Sequence, residues 1–442
     1  YQYSMFDAAY GAESGDYWDP YWSGNISHKR VNNNADAVEL SPVTIPNSHS
    51  NDGAKTHIRI YGFSQRDSVM SFSVASERGL TGFPTFAGDG FLPSSLLDVN
   101  YAGERALVAI NKNGHVLGWK SNGHKIIRNG EAFQSEDLSG RPQIYDYSLM
   151  FDLGKTISLS PIAFDINFNG QDELVAISDD GHLFILELKD DDGDGFADLA
   201  ISAELNTIPS AGLMGFAGRI VFGDVLGRLH ILTPHEDTFS EHLVIPHGTG
   251  KIISLAAANS HLVSVDENGQ VTLFDSRYEK LWEINLNFHT DACYSMSADF
   301  NSEGKTSWVI ISGNGSITYL DMDGNILSRY YLRDELGTMI SAAVGDMDGD
   351  GRAEILVHTS RGFFVFETSG VSTRNFPVRY RTETTGTAAP IFYHRNAQKN
   401  AVVNRHNLLY AYKESGRVEE GFPLATAQDI VSIVLSDLNG DK

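Results

Sequence analysis

Residues 341–366 read SAAVGDMDGDGRAEILVHTSRGFFVF, and this stretch decides the fold. An apolar run ending at Gly345 has the character of a buried strand, and EILVHT and GFFVF follow as two more. A tight acidic loop separates the first two. It sets Asp346, Asp348 and Asp350 at alternate positions, follows them with Gly351, and returns an acid at Glu354. Alternate carboxylates converging from one turn are what a hard cation with oxygen ligands requires, and the glycine permits the sharp bend. Weaker copies of the unit recur along the chain, so its function has to be read through a repeat.

The copies align on the hairpin turn ahead of the third strand. The turns read NGHVLGW at Gly114, DGHLFIL at Gly181, LGRLHIL at Gly227, NGQVTLF at Gly269, NGSITYL at Gly315 and RGFFVF at Gly362. A glycine-free HNLLYAY near Asn407 makes the seventh. Asn-Gly and Asp-Gly ahead of apolar residues are strong hairpin signals. From Gly181 to Gly362 the turns fall 46, 42, 46 and 47 residues apart, and the longer first interval holds an insertion at 125–150. Short strands at this period, with no amphipathic helix, predict an all-β fold: a β-propeller of seven or eight four-stranded blades.

The ends bear on the count. DIVSIVLSDLNGDK at 429–442 reads as the first strand and loop of a further unit, cut off before its second strand. Residues 55–86, with HIRIYGF and VMSFSVA, read as the remainder of such a unit. Pairing 430–436 with strands from 55–86 would close a ring of eight and leave no open edge. The rival reading is seven blades, with 1–86 belonging to an upstream domain. Residues 1–54 have no period, are rich in Tyr, Trp, Asn and Asp, and are expected to be an irregular aromatic-rich segment anchored by Trp18 and Trp22. Tyr1 opens in this segment without a signal peptide, so the chain is expected to be a processed or excised piece.

Composition excludes several classes. At 41% hydrophobic and 11% aromatic, the 442-residue chain has ample material for a core, which argues against disorder. A formal charge of −24 would repel nucleic acid and anionic membranes. Cys293 is the only cysteine, so neither an internal disulfide nor a thiolate zinc cluster can form. No apolar run approaches the roughly 18 residues of a membrane span.

AVGDMDGDGRAEILV at 343–357 resembles the FG-GAP or VCBS repeat, the blade type of integrin-α-like propellers. AFDINFNGQDELVAI at 163–177 is a looser match and LSDLNGDK at 435–442 a partial one. The resemblance implies loops that bind calcium and a propeller that serves adhesion, recognition or targeting without catalysis. A second stretch, VELSPVTIPNS followed by NDG and HIRIYGFSQRDSVMSFSV, resembles the end of the catalytic domain in immune-inhibitor-A-like secreted metalloproteases. Their H-E-x-x-H zinc motif occurs nowhere in this chain.

Three loops share the ligand frame. The first offers Asp346, Asp348, Asp350, the Arg352 carbonyl and Glu354. The second offers Asp165, Asn167, Asn169, the Gln171 carbonyl and Glu173, with two amides replacing acids and so less charge. The third, Asp190, Asp192, Asp194, the Phe196 carbonyl and Asp198, lies between two strands of a hairpin and is the most acidic. The final loop has Asp437, Asn439 and Asp441 but Lys442 in place of glycine. DVNYAGERA at 98–106 and DFNSEGKTS at 299–307 are eroded copies, where turns alone are expected. The ninth-position acid distinguishes this frame from an EF-hand, and calcium suits it better than magnesium, which keeps waters and a rigid octahedron.

His235, His242 and His247 lie close in sequence but not on one helical face, and are expected to be solvated loop residues. No nucleophile elbow or phosphate-cradling loop occurs. The leading expectation is a non-catalytic, calcium-binding propeller of a secreted or surface-exposed bacterial protein, with a protein or glycan ligand. The alternatives are the C-terminal part of a zinc metalloprotease, or a propeller enzyme acting on polysaccharide through carboxylates on one face.

Overall fold

The computed structural model describes residues 21–49, 58–76, 90–126, 133–136, 142–145, 149–194, 196–235, 238–248, 250–302, 304–332, 336–384, 390–395, 398–419, 421–426 and 429–438. The chain is a seven-bladed β-propeller. Phe91–Tyr101, Glu104–Asn111, His115–Lys120 and Leu149–Asp152 make the first four-stranded blade. The others span 162–204, 209–246, 252–285, 293–331, 339–379 and 391–425. Every blade is an antiparallel meander in chain order, and the first strands of neighbouring blades face one another around the axis. The insertion at 125–150 supplies a separate hairpin, Phe133–Glu136 with Pro142–Tyr145, before the first blade's outer strand.

Each blade is buried on both faces, which is why its middle strands are predominantly apolar runs rather than alternating ones. On Glu173–Ile177 all five residues are buried. Leu174 and Ala176 pack with Val108 and Ile110 of the first blade, while Val175 and Ile177 pack with Ile220 and Phe222 of the third. Outer strands keep the half-buried alternation of an exposed sheet, as in Thr238–Pro246. Six such apolar clusters join the seven blades in series.

The turn after the second strand is fixed by a buried polar residue. Asn111 Oδ1 accepts the amides of Asn113 and His115, both at 3.0 Å. Asp224 Oδ1 accepts those of Leu226 and Arg228 at 2.9 and 2.8 Å, and Asp266 Oδ1 those of Asn268 and Gln270 at 2.9 and 2.8 Å. Ser178, Ser312 and Thr359 hold the equivalent place. Gly362 is the exception among the turn glycines: it begins a strand rather than occupying the left-handed turn position.

Closure takes a different form from the eight-blade expectation. Among the described residues, 430–436 forms no strand ladder with 55–86. It runs extended beside the first blade, where Ser432 Oγ accepts the Leu96 amide at 3.4 Å and Ser436 Oγ donates to Asp98 at 2.8 Å. Ile58–Tyr61 and Ser73–Ser76 pair with each other, and Leu40 bridges to Ile60. The N-terminal segment is less irregular than its composition suggests: a six-residue helix, Ile26–Val31, starts at Asn25, whose side chain accepts the His28 amide. Tyr21 stacks on Phe63 at 5.2 Å, so these aromatics pack on their own module. Trp18 lies outside the described residues.

Gly181 tests the turn. Its φ is +82°, and a Cβ there would sit 2.0 Å from the Thr207 carbonyl oxygen of the connection to the third blade. Gly181→Ala is expected to lower stability by about 2–4 kcal/mol through left-handed strain and this clash. Urea unfolding checks it, and an unchanged midpoint refutes the turn assignment.

Candidate metal centre

The loops at 346–354 and 165–173 each connect the first strand of a blade to its second, and the loop at 190–198 connects third to fourth. In an antiparallel meander those connections fall at the same end of the sheet, so all three loops open on one face of the ring. At 346–354 the structure brings together the four acids the sequence singles out. One oxygen from each of Asp346, Asp348, Asp350 and Glu354 lies within 4.8 Å of all the others. Calcium ligands stand about 2.3–2.6 Å from the ion, so opposite oxygens in a shell are about 5 Å apart. The donor set fits that cation in chemistry and in spread.

Backbone amides hold the carboxylates in place. Met347 N–H donates to Glu354 at 2.7 Å, Gly349 and Gly351 N–H to Asp346 at 2.7 and 3.1 Å, and Arg352 N–H to Asp350 at 2.8 Å. The second loop repeats this frame: Ile166 N–H donates to Glu173 at 2.8 Å, Gly170 N–H to Asp165 at 2.8 Å, and Gln171 N–H to Asn169 at 2.8 Å. Asn167 donates its side-chain amide to Glu173 at 3.0 Å, an additional internal tie that an aspartate would not make. In the third loop Asp191 N–H reaches Asp198 at 3.2 Å and Phe196 N–H reaches Asp194 at 2.8 Å. There Asp190, Asp192 and Asp194 converge, while Asp198 is not part of that group.

The eroded copies separate into two kinds. Asp299 still accepts the Gly304 amide at 2.6 Å, keeping the loop shape with Ser307 where the closing acid would be. At 98–106 the loop has become a plain hairpin, with Tyr101 paired to Glu104 and Asp98 beside Arg105 at 3.6 Å. Asn439 and Asp441 lie outside the described residues.

Two features were not read from the sequence. Position two of the loop is an apolar anchor: Met347 reaches the core shared with the seventh blade, Ile166 that of the third, and Phe300 that of the sixth. The repeated Asp-apolar-Asp/Asn triplet was its visible signal. The other is Lys399, whose ammonium, from the second strand of the seventh blade, donates to Asp346. No pattern in NAQKNAVV announces it.

The electrostatics of the first loop follow. Burial raises the pKa of Glu354 most, and the charges of Asp348, Asp346 and Asp350 add to it against the Met347 amide; the carboxyl is pushed up to about 7. Burial acts on Asp346 too, but the Lys399 ammonium and the Gly349 and Gly351 amides overcome it and hold that carboxyl below the ordinary range. Glu173 is raised by burial and by the charges of Asp165 and Glu187.

His235 and His242 are exposed as expected, though on strands rather than in a loop, and His247 differs. His247 is buried, with Nε2 3.3 Å from the Ser264 carbonyl. His242 Nε2 lies 3.0 Å from Nδ1 of buried His230, whose Nε2 meets Asp224 at 2.9 Å. Arg228 and Thr207 converge on the same carboxylate, making a network that ties the third blade to the connection leading into it. A cavity of about 600 Å³ at the inner strands of the first three blades is lined by Leu96, Leu159, Ile162, Leu213 and Ile433, and by no carboxylate among the described residues.

No family model matches the chain, and no curated protein matches it. Solved structures do. Sqt1 from Saccharomyces cerevisiae is similar over 80% of this chain and 91% of its own, with a TM-score of 0.57 at 12% identity. BBS1N in complex with ARL6DN covers 77% of this chain and 96% of its own at 12% identity, with a TM-score of 0.44. For BamB from Moraxella catarrhalis the figures are 74%, 94%, 14% and 0.42. The likeness to Sqt1 shows the propeller fold.

Glu354 gives a pH dependence with a definite sign. Its folded pKa, about 7, lies above the ordinary 4.5, so ionising it opposes folding. In chelator the wild type is expected to match Glu354→Gln below pH 4.5 and to fall behind it as pH rises through about 7. The difference should approach roughly 3 kcal/mol by pH 8. Denaturation series of both proteins measure this, and equal stability at pH 8 rejects it.

Proposed function

We propose that this chain is a calcium-stabilised propeller of the FG-GAP or VCBS type, serving as a non-catalytic interaction module of a secreted or surface-exposed bacterial protein. The observation that carries the reading is the convergence of Asp346, Asp348, Asp350 and Glu354 from one amide-braced turn. Four acids so close repel one another, and a divalent cation relieves that repulsion more fully than the one ammonium of Lys399. Extracellular modules of this kind work with weak sites, because calcium outside cells is abundant.

The ion's role in this reading is structural. The loop already spans three blades: the Ala353 amide donates to the Asp299 carbonyl of the fifth at 3.0 Å, and Lys399 arrives from the seventh. A cation at its centre would fix that junction. Exposed Ile208 and Leu226, neighbours on the opposite face, suit a protein ligand.

Thermal unfolding with EGTA and then with added calcium tests the metal. The melting temperature is expected to fall on chelation and recover on titration, and calorimetry is expected to lose one binding event in Asp348→Asn/Asp350→Asn. A melt indifferent to both reagents refutes the calcium reading.

A further inference from the structure

The joint between the sixth and seventh blades contains polar side chains with nothing to bond. His358 is fully buried on the second strand of the sixth blade, and neither ring nitrogen has a hydrogen-bond partner. Tyr380 stands edge-on to it, 5.9 Å between ring centroids, and its hydroxyl is likewise buried and unbonded. From the seventh blade, Arg405 lays its guanidinium 4.1 Å over the same Tyr380 ring and 5.3 Å from that of Tyr410. Arg405 Nε is buried without an acceptor, and no ion pair with a carboxylate is formed by this residue among the described residues.

The unmet needs are lopsided. A neutral imidazole brings one donor and one acceptor, the phenol a hydroxyl that can donate, and Arg405 Nε a donor. These groups together call for a partner that accepts several hydrogen bonds, and a half-buried guanidinium without a carboxylate beside it favours one that carries negative charge. Water meets the first need in part and the second not at all. Burial, reinforced by the Arg405 charge, drives the His358 pKa down to about 4, so the imidazole does not supply a second cation at neutral pH.

We propose that this joint is an anion site, in which one chloride-sized monoanion accepts hydrogen bonds from Arg405 Nε, the Tyr380 hydroxyl and a ring N–H of His358. The full burial of His358 and the close stacking of Tyr380 and Arg405 restrict the occupant to a small ion. Its place is a seam between blades on the side of the turns that precede the third strands, apart from the acidic loops. The inference does not depend on calcium.

Histidine-labelled full-length protein, titrated with sodium chloride against sodium gluconate at constant ionic strength, tests it by NMR. The His358 ring signals are expected to shift saturably, and the ring pKa to rise by about one unit as the nearby negative charge appears. Arg405→Gln should lose this response while still unfolding cooperatively. Should that variant fail to fold, bromide-soaked crystals of the wild type supply the readout, with an anomalous peak expected beside Arg405 Nε. His358 signals indifferent to chloride, or a bromide-free site holding only water, overturn the proposal.

Discussion

A propeller blade is a sheet with no polar face. The second strands of the second, fifth and sixth blades bury every residue, so each such blade must be covered on both sides by another like it, and a ring is the arrangement that supplies this without a bare end. Strand Ser307–Ser312 shows the division of labour. Trp308 and Ile310 belong to the core shared with the fourth blade, Val309 and Ile311 to the core shared with the sixth. Stability then accumulates joint by joint.

The acidic turn is built around the same constraint. Its second residue is sunk in a joint while its amide bonds the ninth-position carboxylate, as with Met347 and Glu354 or Ile166 and Glu173. The fold itself thus fixes the closing acid, and fixes it where burial makes its charge expensive. Asp172 carries the coupling sideways, accepting the Asn100 amide at 2.6 Å while its own amide donates to the Asn100 carbonyl at 3.0 Å. The loop at 190–198 has Asp191 in place of the anchor, and its ninth-position acid stands apart from the other three. Acidity alone did not assemble the full set there, whereas the anchored turn at 346–354 did.

Blade register was legible because a left-handed turn has few solutions. Gly114, Gly181, Gly227, Gly269 and Gly315 all carry the positive φ that their turn chemistry required. A second signal accompanies the glycine. Three residues before each turn stands Asn111, Ser178, Asp224, Asp266, Ser312 or Thr359, the buried cap. What could not be read are contacts made across joints. Lys399 meets Asp346 over 53 positions, and His358 meets Arg405 only because two blades face each other. A local pattern reports the strand a residue belongs to, but not what the neighbouring blade places against it.

The seventh turn shows how one departure from the repeat can serve closure. Asn404 stands three residues before Asn407, where the other blades keep their cap, but the turn has no glycine and His406 takes the left-handed conformation at φ +51°. Freed from capping, Asn404 donates its side-chain amide to the Ile430 carbonyl at 2.8 Å, and the Ile430 amide donates to the His406 carbonyl at 3.1 Å. The tail is thereby pinned as it enters the gap between the last blade and the first. The apolar clusters join blades one through seven in series, and among the described residues none of them spans from the seventh back to the first. Buried Asn400 and Asn404 occupy the seventh blade's second strand, and the seam is bridged by hydrogen bonds through an extended segment. The ring is thus completed by a tail that is not itself a blade, which is why a period of about 45 residues specified the unit and left the count undecided.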